Sequence, residues 1–348
     1  MKKYSIGGVF VKRTLVGVVR YCWELIAELD NAVEGHDIQL ELVVPKGVKV
    51  PYKYKNIKVV HYGKDIKFFW YNVILPWYLK RNHSVGIHLA VNVPWIKPDI
   101  VCIHDINSTV NPQLFSRYHV FKTTLEKKIA VKRAKKLLAV SHFSASEIAR
   151  YFKYPESKIT VVPNAWQHME RLETKGDSES LYGVKKGTYY FSMSSIAPTK
   201  NFKWIMEAAK QNPDDMFLIA GGIDPKTFGV SSLEDESPNV KYVGRVSDEE
   251  AKILMRDCKA FLFPSFYEGF GIPPLEALAC GAPRIVVSDI PVMREVYGDT
   301  ANYIDPSDYD NIDLKKTMSE PVAPPEKVLE KYSWRKSADI LVDVLDKL

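Results

Sequence analysis

The chain has 348 residues, long for one core and enough for two domains of ordinary size. Hydrophobic residues make up 46% and charged residues 26%, which excludes a disordered chain, and no apolar run reaches the roughly 18 residues of a membrane-crossing helix. The net charge of +6 hides an asymmetry: up to Asn164 there are 26 Lys and Arg against 12 Asp and Glu, a net of +14, and beyond it 22 against 30, a net of −8.

In chain order, "MKKYSIGGVFV" has a basic tip, but its apolar stretch is short and broken by Gly7 and Gly8, so it reads as a first strand and not a signal peptide. "IQLELVVP", "IKVVHY", "VGIHLAV", "DIVCIHDI" and "KLLAVS" follow as strands. "VVRYCWELIAELD", "QLFSRYHVFKTTLEKKIAVKRA" and "SASEIARYF" read as helices, the last opened by serines suited to an N-cap. After "ITVVPNAW" the polar segment Glu170–Ser180 is the linker candidate. A second alternating series then runs through "TYYFSMSS", "MFLIAGG", "VKYVGR", "AFLFPS" and "PRIVVSD", and the amphipathic "SWRKSADILVDVLDKL" closes the chain. Short apolar runs alternating with amphipathic segments predict an α/β protein of parallel sheets wrapped by helices. The expected boundaries are a first domain over 1–168, a linker over 169–184, a second domain over 185–330, and a terminal helix over 331–348 that packs back on the first. Two such bodies facing each other would form a cleft at the carboxyl ends of their strands, where open α/β sheets bind ligands. Cys22, Cys102, Cys258 and Cys280 are far apart, as expected of reduced, buried thiols in a cytoplasmic protein.

Two stretches concentrate the chemistry. In "FPSFYEGFGIPPLEALACG", Pro273 and Pro274 fit the first turn of a helix, where a missing N–H costs nothing. Glycines before them let backbone approach a ligand, and the helix start suits phosphate. Glu268 and Glu276 then border one ligand, each carboxylate able to accept from a diol; equally, Glu268 is a loop residue and Glu276 complements the helix dipole. In "SSIAPTKNFKWIMEAAK", Lys200 stands where a helix begins, which is electrostatically wrong unless an anion sits there. His104 ends an apolar strand and reads on its own as a core histidine.

Taken together, "EGFGIPPLEALACG" resembles the E-x7-E motif of retaining glycosyltransferase family 4, of GT-B architecture, with two Rossmann-like doubly wound domains facing a central cleft. "TLVGVVRYCWEL", "VCIHDI", "AVSHFSASEI", "VVPNAW", "APTKN" and "VGRVSDEE" are similar to further segments of that family, in the family's order. The resemblance implies that Glu276 holds the donor ribose, while Glu268 and His104 face the transferred sugar as the catalytic pair. Amides around Phe270, Gly271 and Ile272 would contact sugar and diphosphate, and Lys200 would neutralise the diphosphate. Gly17 would give the N-terminal loop room against the donor, and backbone near Val246 would border the base. Many members carry Arg where this chain has Ser195 and Thr199, so the diphosphate would rest on Lys200, helix dipoles and Arg245 or Arg20. Ser195 stays in the donor set, and Val16, in place of the usual Thr, would offer backbone alone.

The implied activity is retaining transfer of a hexose from a nucleoside diphosphate sugar to a hydroxyl of a saccharide acceptor, lipid-linked in surface polysaccharide assembly. No cofactor or metal is expected: "DYD", Asp308–Asp310, matches a D-x-D metal signature but sits in a polar loop. Rhamnose, mannose, glucose and galactose donors stay open. The basic run "KTTLEKKIAVKRAKK" suits either a solvated helix face or anionic lipid, a peripheral contact for a cytoplasmic enzyme. "FFWYNVILPWYL" reads as helical core and interdomain packing, with an aromatic lip for a lipid-linked acceptor as the other reading. The alternatives are a basic nucleic-acid- or nucleotide-binding protein, which lacks a recognition module, and a GT-B nucleotide-sugar epimerase. Nucleic acid is not an expected partner.

Overall fold

Aliphatic runs buried on both faces are the composition of strands inside a parallel sheet covered by helices. The computed structural model describes residues 2–15, 17–90, 93–194, 197–222 and 237–348. The chain divides into two units, Met1–Asn164 with Trp334–Leu348, and Ala165–Ser333.

The first unit holds seven parallel strands: β1 (Lys2–Gly7), β2 (Ile38–Val44), β3 (Ile57–His61), β4 (Val85–His88), β5 (Ile100–Ile103), β6 (Lys136–Ala139) and β7 (Ile159–Val161). Their order is β3-β2-β1-β4-β5-β6-β7. The second unit holds β8 (Tyr189–Met193), β9 (Met216–Ala220), β10 (Val240–Gly244), β11 (Ala260–Phe263), β12 (Ile285–Ser288) and β13 (Asn302–Ile304), in the order β10-β9-β8-β11-β12-β13. Each sheet grows outward on one side of its first strand and then resumes on the other side. This is the doubly wound Rossmann order, with reversals between β1 and β4 and between β8 and β11.

The longer helices are α1 (Gly17–Ala32), α2 (Arg117–Arg133), α3 (His142–Phe152), α4 (Phe202–Gln211), α5 (Asp248–Asp257), α6 (Ile272–Ala279) and α7 (Trp334–Lys347). Local chemistry sets their starts: Ser141 accepts from the Ser144 amide at 2.9 Å to open α3, and Ser247 with Glu250 forms a capping box on α5. The end of the expected first strand differs, because Val9–Lys12 forms a 3-10 turn. A Cβ on Gly8 would come within 2.5 Å of Val44 and 2.9 Å of the Val43 carbonyl, so only glycine lets the chain turn there. The polar segment Glu170–Ser180 lies in the second unit, where Asp177 caps the short helix Ser178–Tyr182.

The segment "FFWYNVILPWYL" is helical with a π-helical turn over Trp70–Ile74. Trp70, Tyr71, Leu75, Tyr78 and Leu79 enter the core, whereas Phe69 (54%), Val73 (43%) and Trp77 (59%) form an exposed apolar stripe. Beside them, Phe68 meets Trp95 edge-on at 5.3 Å.

Helix α7 returns to the first unit and lies along α1. Tyr4 donates to the Leu345 carbonyl at 2.6 Å and Ser337 to the Pro163 carbonyl at 2.8 Å. Trp334, 1% exposed, packs edge-on against Tyr21 at 5.9 Å. Replacing Trp334 with Ala should leave a cavity under α1 and cost about 3–5 kcal/mol. Urea denaturation followed by circular dichroism measures this; a loss below about 1 kcal/mol would mean that α7 is peripheral to the core.

Candidate active site

In the second unit the polar residues collect where the strand order reverses, at the carboxyl ends of β8 and β11. After β8 the chain makes a 3-10 turn over Pro198–Lys200, takes a left-handed residue at Asn201 (φ 53) and enters α4. After β11 it runs through Glu268 to Gly271 and enters α6. The two loops are joined by a backbone bond from the Phe266 amide to the Thr199 carbonyl, 2.8 Å. Lys200 Nζ pairs directly with Glu268 Oε1, the side chains 18% and 13% exposed, and the ammonium also lies 5.2 Å from the Phe263 ring centroid. Residues 68 positions apart thus form a half-buried ion pair at the reversal.

Gly271 has φ +84, and a Cβ there would come within 2.6 Å of Met293 Cε, so the turn into α6 demands glycine. Its carbonyl accepts from the buried Tyr297 hydroxyl. Phe270 is buried edge-on against Tyr332 at 5.1 Å and can offer a ligand only its backbone. Ile272, Pro273 and Pro274 form the first turn of α6; the prolines carry no N–H, so the Ile272 amide is the leading donor left without a carbonyl partner within the helix. Nearby, the buried Ser265 hydroxyl has no hydrogen-bond partner among the described residues.

Glu276 lies one turn further along α6, 6% exposed, and its Oε1 is 2.8 Å from Nε2 of His168. An ionised carboxylate can only accept, so the imidazole N–H donates. Burial, joined by the Glu276 charge, pushes the Cys280 thiol up to about 12. His168 was not among the expected site residues. It follows "VVPNAWQ" in a stretch with no charge pattern or spacing rule to mark it.

Other expected donor residues stand apart from the pair. Arg245 and Val246 follow β10, two strands from β8 and therefore about 10 Å along the sheet. The exposed Arg245 guanidinium lies against Gly222, where a Cβ would be 3.0 Å from its Nε. Ser195 and Val16 lie outside the described residues. Asp308 of "DYD" folds onto its own turn, accepting from the Asp310 amide at 3.0 Å and the Asn311 amide at 3.2 Å. Among the described residues no cluster of three His, Cys, Asp or Glu is placed to hold a metal ion.

His104 and Gly17 belong to the first unit. His104 follows β5; its Nε2 lies 2.8 Å from the Leu89 carbonyl and its ring meets Tyr21 edge-on at 4.8 Å. A carbonyl cannot donate, so Nε2 carries the proton and Nδ1 remains an acceptor. Burial lowers the His104 pKa below its usual value. Gly17 is exposed at the start of α1, one turn before Tyr21. His104 borders a cavity of about 200 Å³, with Asp105, Ser108, Phe115, His119 and Lys127 also in its wall. Lys127 is buried, its Nζ 3.4 Å from the Ser108 hydroxyl, and desolvation lowers its pKa.

Comparison with known proteins decides the family. Residues 16–166 match the model described as Glycosyltransferase Family 4, and residues 177–320 match Glycosyl transferases group 1. The chain is a GT-B glycosyltransferase of the family 4 type. The glycosyltransferase is 31% identical over 222 residues to the O-antigen chain mannosyltransferase RfbU of Salmonella typhimurium, a match covering 62% of this chain and 59% of that one. It is 27% identical to O-antigen chain mannosyltransferase B of Escherichia coli, over 94% of this chain and 91% of the relative. Its fold is shared with Anabaena Alr3699/HepE, solved in complex with UDP and glucose, at a TM-score of 0.71 and 15% identity over 100% of both chains.

Two buried imidazoles give the glycosyltransferase a defined response to acid. Burial holds His88 down at about 4 and lowers His104 in the same direction. The unfolded chain therefore binds protons below about pH 6.5 that these two rings refuse in the folded chain, so their burial should cost no stability above that pH and an increasing amount as the pH drops toward 4. Histidine NMR should show His88 neutral at pH 6 and His104 titrating below its usual 6.5; a ring that titrates near 6.5 in the folded protein would remove its share of the effect.

Proposed function

We propose that this enzyme transfers a hexose from a nucleoside diphosphate sugar to a hydroxyl of a saccharide acceptor, with retention at the anomeric carbon. The observation that carries the proposal is the grouping of Lys200, Glu268, Glu276 and the amino end of α6 around one sheet reversal. On this reading Glu276 accepts from the ribose diol and the amides of Phe270, Gly271 and Ile272 approach the diphosphate. Lys200 balances the phosphate charge, and Glu268 and His104 face the sugar. Gly17 gives the N-terminal loop room, Val246 borders the base, and Ser195 and Arg245 complete the donor set.

The ligand-free ion pair adds a step to this reading. A diphosphate arriving at Lys200 competes with Glu268 for the ammonium, so leaving-group binding frees the carboxylate for the sugar hydroxyls. Catalysis is then mainly electrostatic stabilisation of the departing phosphate oxygens in a site already polarised for them. The mannosyltransferase relatives favour mannose as the hexose and an O-antigen-like polysaccharide as the product.

Replacing Glu276 with Ala removes charge-assisted hydrogen bonds worth about 1.5–3 kcal/mol, so nucleoside diphosphate affinity should fall roughly tenfold to a hundredfold. Glu268→Ala should instead abolish most turnover and leave that affinity nearly intact. Calorimetry and a transfer assay separate the two, and unchanged affinity in a folded Glu276→Ala protein would sink the ribose assignment.

The acceptor on this proposal is lipid-linked, and the enzyme meets an anionic membrane peripherally on the cytoplasmic side. Among the described residues no helix is long and apolar enough to cross a membrane. The exposed stripe of Phe69, Val73 and Trp77 supports a surface contact, as does the basic run, in which Lys128, Lys132 and Arg133 are exposed and Arg133 bonds the Trp95 carbonyl at 3.0 Å. Lys127 of that run points inward and does not contribute. Aromatic groups beside cations are the chemistry of a headgroup interface. The protein should sediment with vesicles containing anionic lipid at low salt and be released near about 0.5 M NaCl, where screening shortens to a few ångströms. Changing Lys128, Lys132 and Arg133 to Gln, or Phe69 and Trp77 to Ser, should weaken binding. Equal recovery on neutral vesicles would point to a soluble acceptor.

A further inference from the structure

The first residues of the second unit commit three consecutive side chains to it. Trp166 Nε1 donates to the Leu329 carbonyl at 2.9 Å, and Gln167 Nε2 to the Tyr332 carbonyl at 3.1 Å. These two bonds lace the strand of chain that enters the unit to the strand that leaves it. Just beyond, the Met169 and Leu172 carbonyls accept from Lys252 Nζ at 2.7 and 2.9 Å. His168 lies between these anchors, and its Nε2 makes a 2.8 Å bond to the Glu276 carboxylate. The side chains of the pair are 2% and 8% exposed.

We infer that His168 is a positioning residue for nucleotide binding: it sets the plane in which Glu276 presents its carboxylate. The inference rests on the reading of Glu276 as the ribose ligand. A glutamate's last torsion is broad and roughly two-fold, so the backbone of α6 places the carboxyl carbon but leaves its oxygens to be oriented by partners. The donor on Oε1 does this before any nucleotide arrives, and ordering a group in advance raises affinity without adding a contact to the ligand. The neighbouring anchors hold the segment independently, so losing the imidazole should loosen the carboxylate and not the loop.

The test titrates UDP, GDP and ADP into the full-length protein by calorimetry, with urea denaturation confirming that each variant is folded. Affinity for the tightest of the three should fall about tenfold in His168→Phe, which keeps the ring's bulk without a donor, and stay within about threefold in His168→Gln, which keeps a donor near the Nε2 position. In a Glu276→Ala background, His168→Phe should add no further loss, because the carboxylate it is inferred to orient is gone. A purely structural role would predict equal losses in both backgrounds and no rescue by Gln, and that result overturns the proposal. So does wild-type affinity in His168→Phe while Glu276→Ala is weak, an outcome that leaves the ribose reading standing. If Glu276→Ala itself binds like wild type, or the wild type binds none of the three, the ribose reading falls and takes this inference with it.

Discussion

A parallel sheet puts all its strand ends of one kind on one edge, and a doubly wound sheet must reverse direction somewhere along it. That constraint organises the second unit. The connection leaving β8 and the connection leaving β11 part at the reversal, since one builds the sheet toward β9 and the other toward β12. Between them lies a place where polar groups can stand without interrupting a strand. The protein holds the two connections together there with the Phe266–Thr199 backbone bond and the Lys200–Glu268 ion pair. The strands beneath are buried on both faces and carry no alternative position for such a pair.

A second constraint comes from the chain path. The backbone leaves the first unit after Asn164 and returns at Trp334, so the second unit is an insertion whose ends must be secured. The Trp166 and Gln167 bonds join its ends, and Trp334 begins the helix that completes the first core. Both ends then touch expected site residues within their own units. His168 reaches Glu276, and Trp334 packs on Tyr21, whose ring backs His104. Residues outside the expected site therefore contact residues inside it.

Most strands could be read from the sequence because a doubly buried strand is a run of aliphatic residues between turn signals, as in "IVCI" of β5 and "IVVS" of β12. β13 could not, since "NYI" is three residues long and takes its strand form from pairing with β12. The π turn at Trp70–Ile74 was equally hidden, because a run apolar on both faces has no periodicity to mark where one residue is inserted. At the candidate site, Lys200 announced itself as a cation that is locally costly at a helix start, and Glu268, Gly271 and Glu276 through their spacing around a glycine-proline turn. His168 did not, because a histidine in a polar loop costs nothing until a partner from a distant helix gives it a role.

The same logic explains why the switch point carries so little charge. Where many family 4 members resemble one another in placing arginine, this chain has Thr199, whose side chain is buried and whose carbonyl is already bonded to Phe266. An arginine there would have to bring its charge into a spot with no room to solvate it. Lys200 is the cation that remains, and even it is kept paired with Glu268. A half-buried ammonium without a partner would be desolvated without compensation, and a half-buried carboxylate likewise. The pair lets each group be held ready at the sheet reversal by neutralising the other. On the proposed reading an anionic ligand is not drawn to an excess of charge but exchanged for a carboxylate already there, which makes the site's electrostatics a matter of which partner the lysine has.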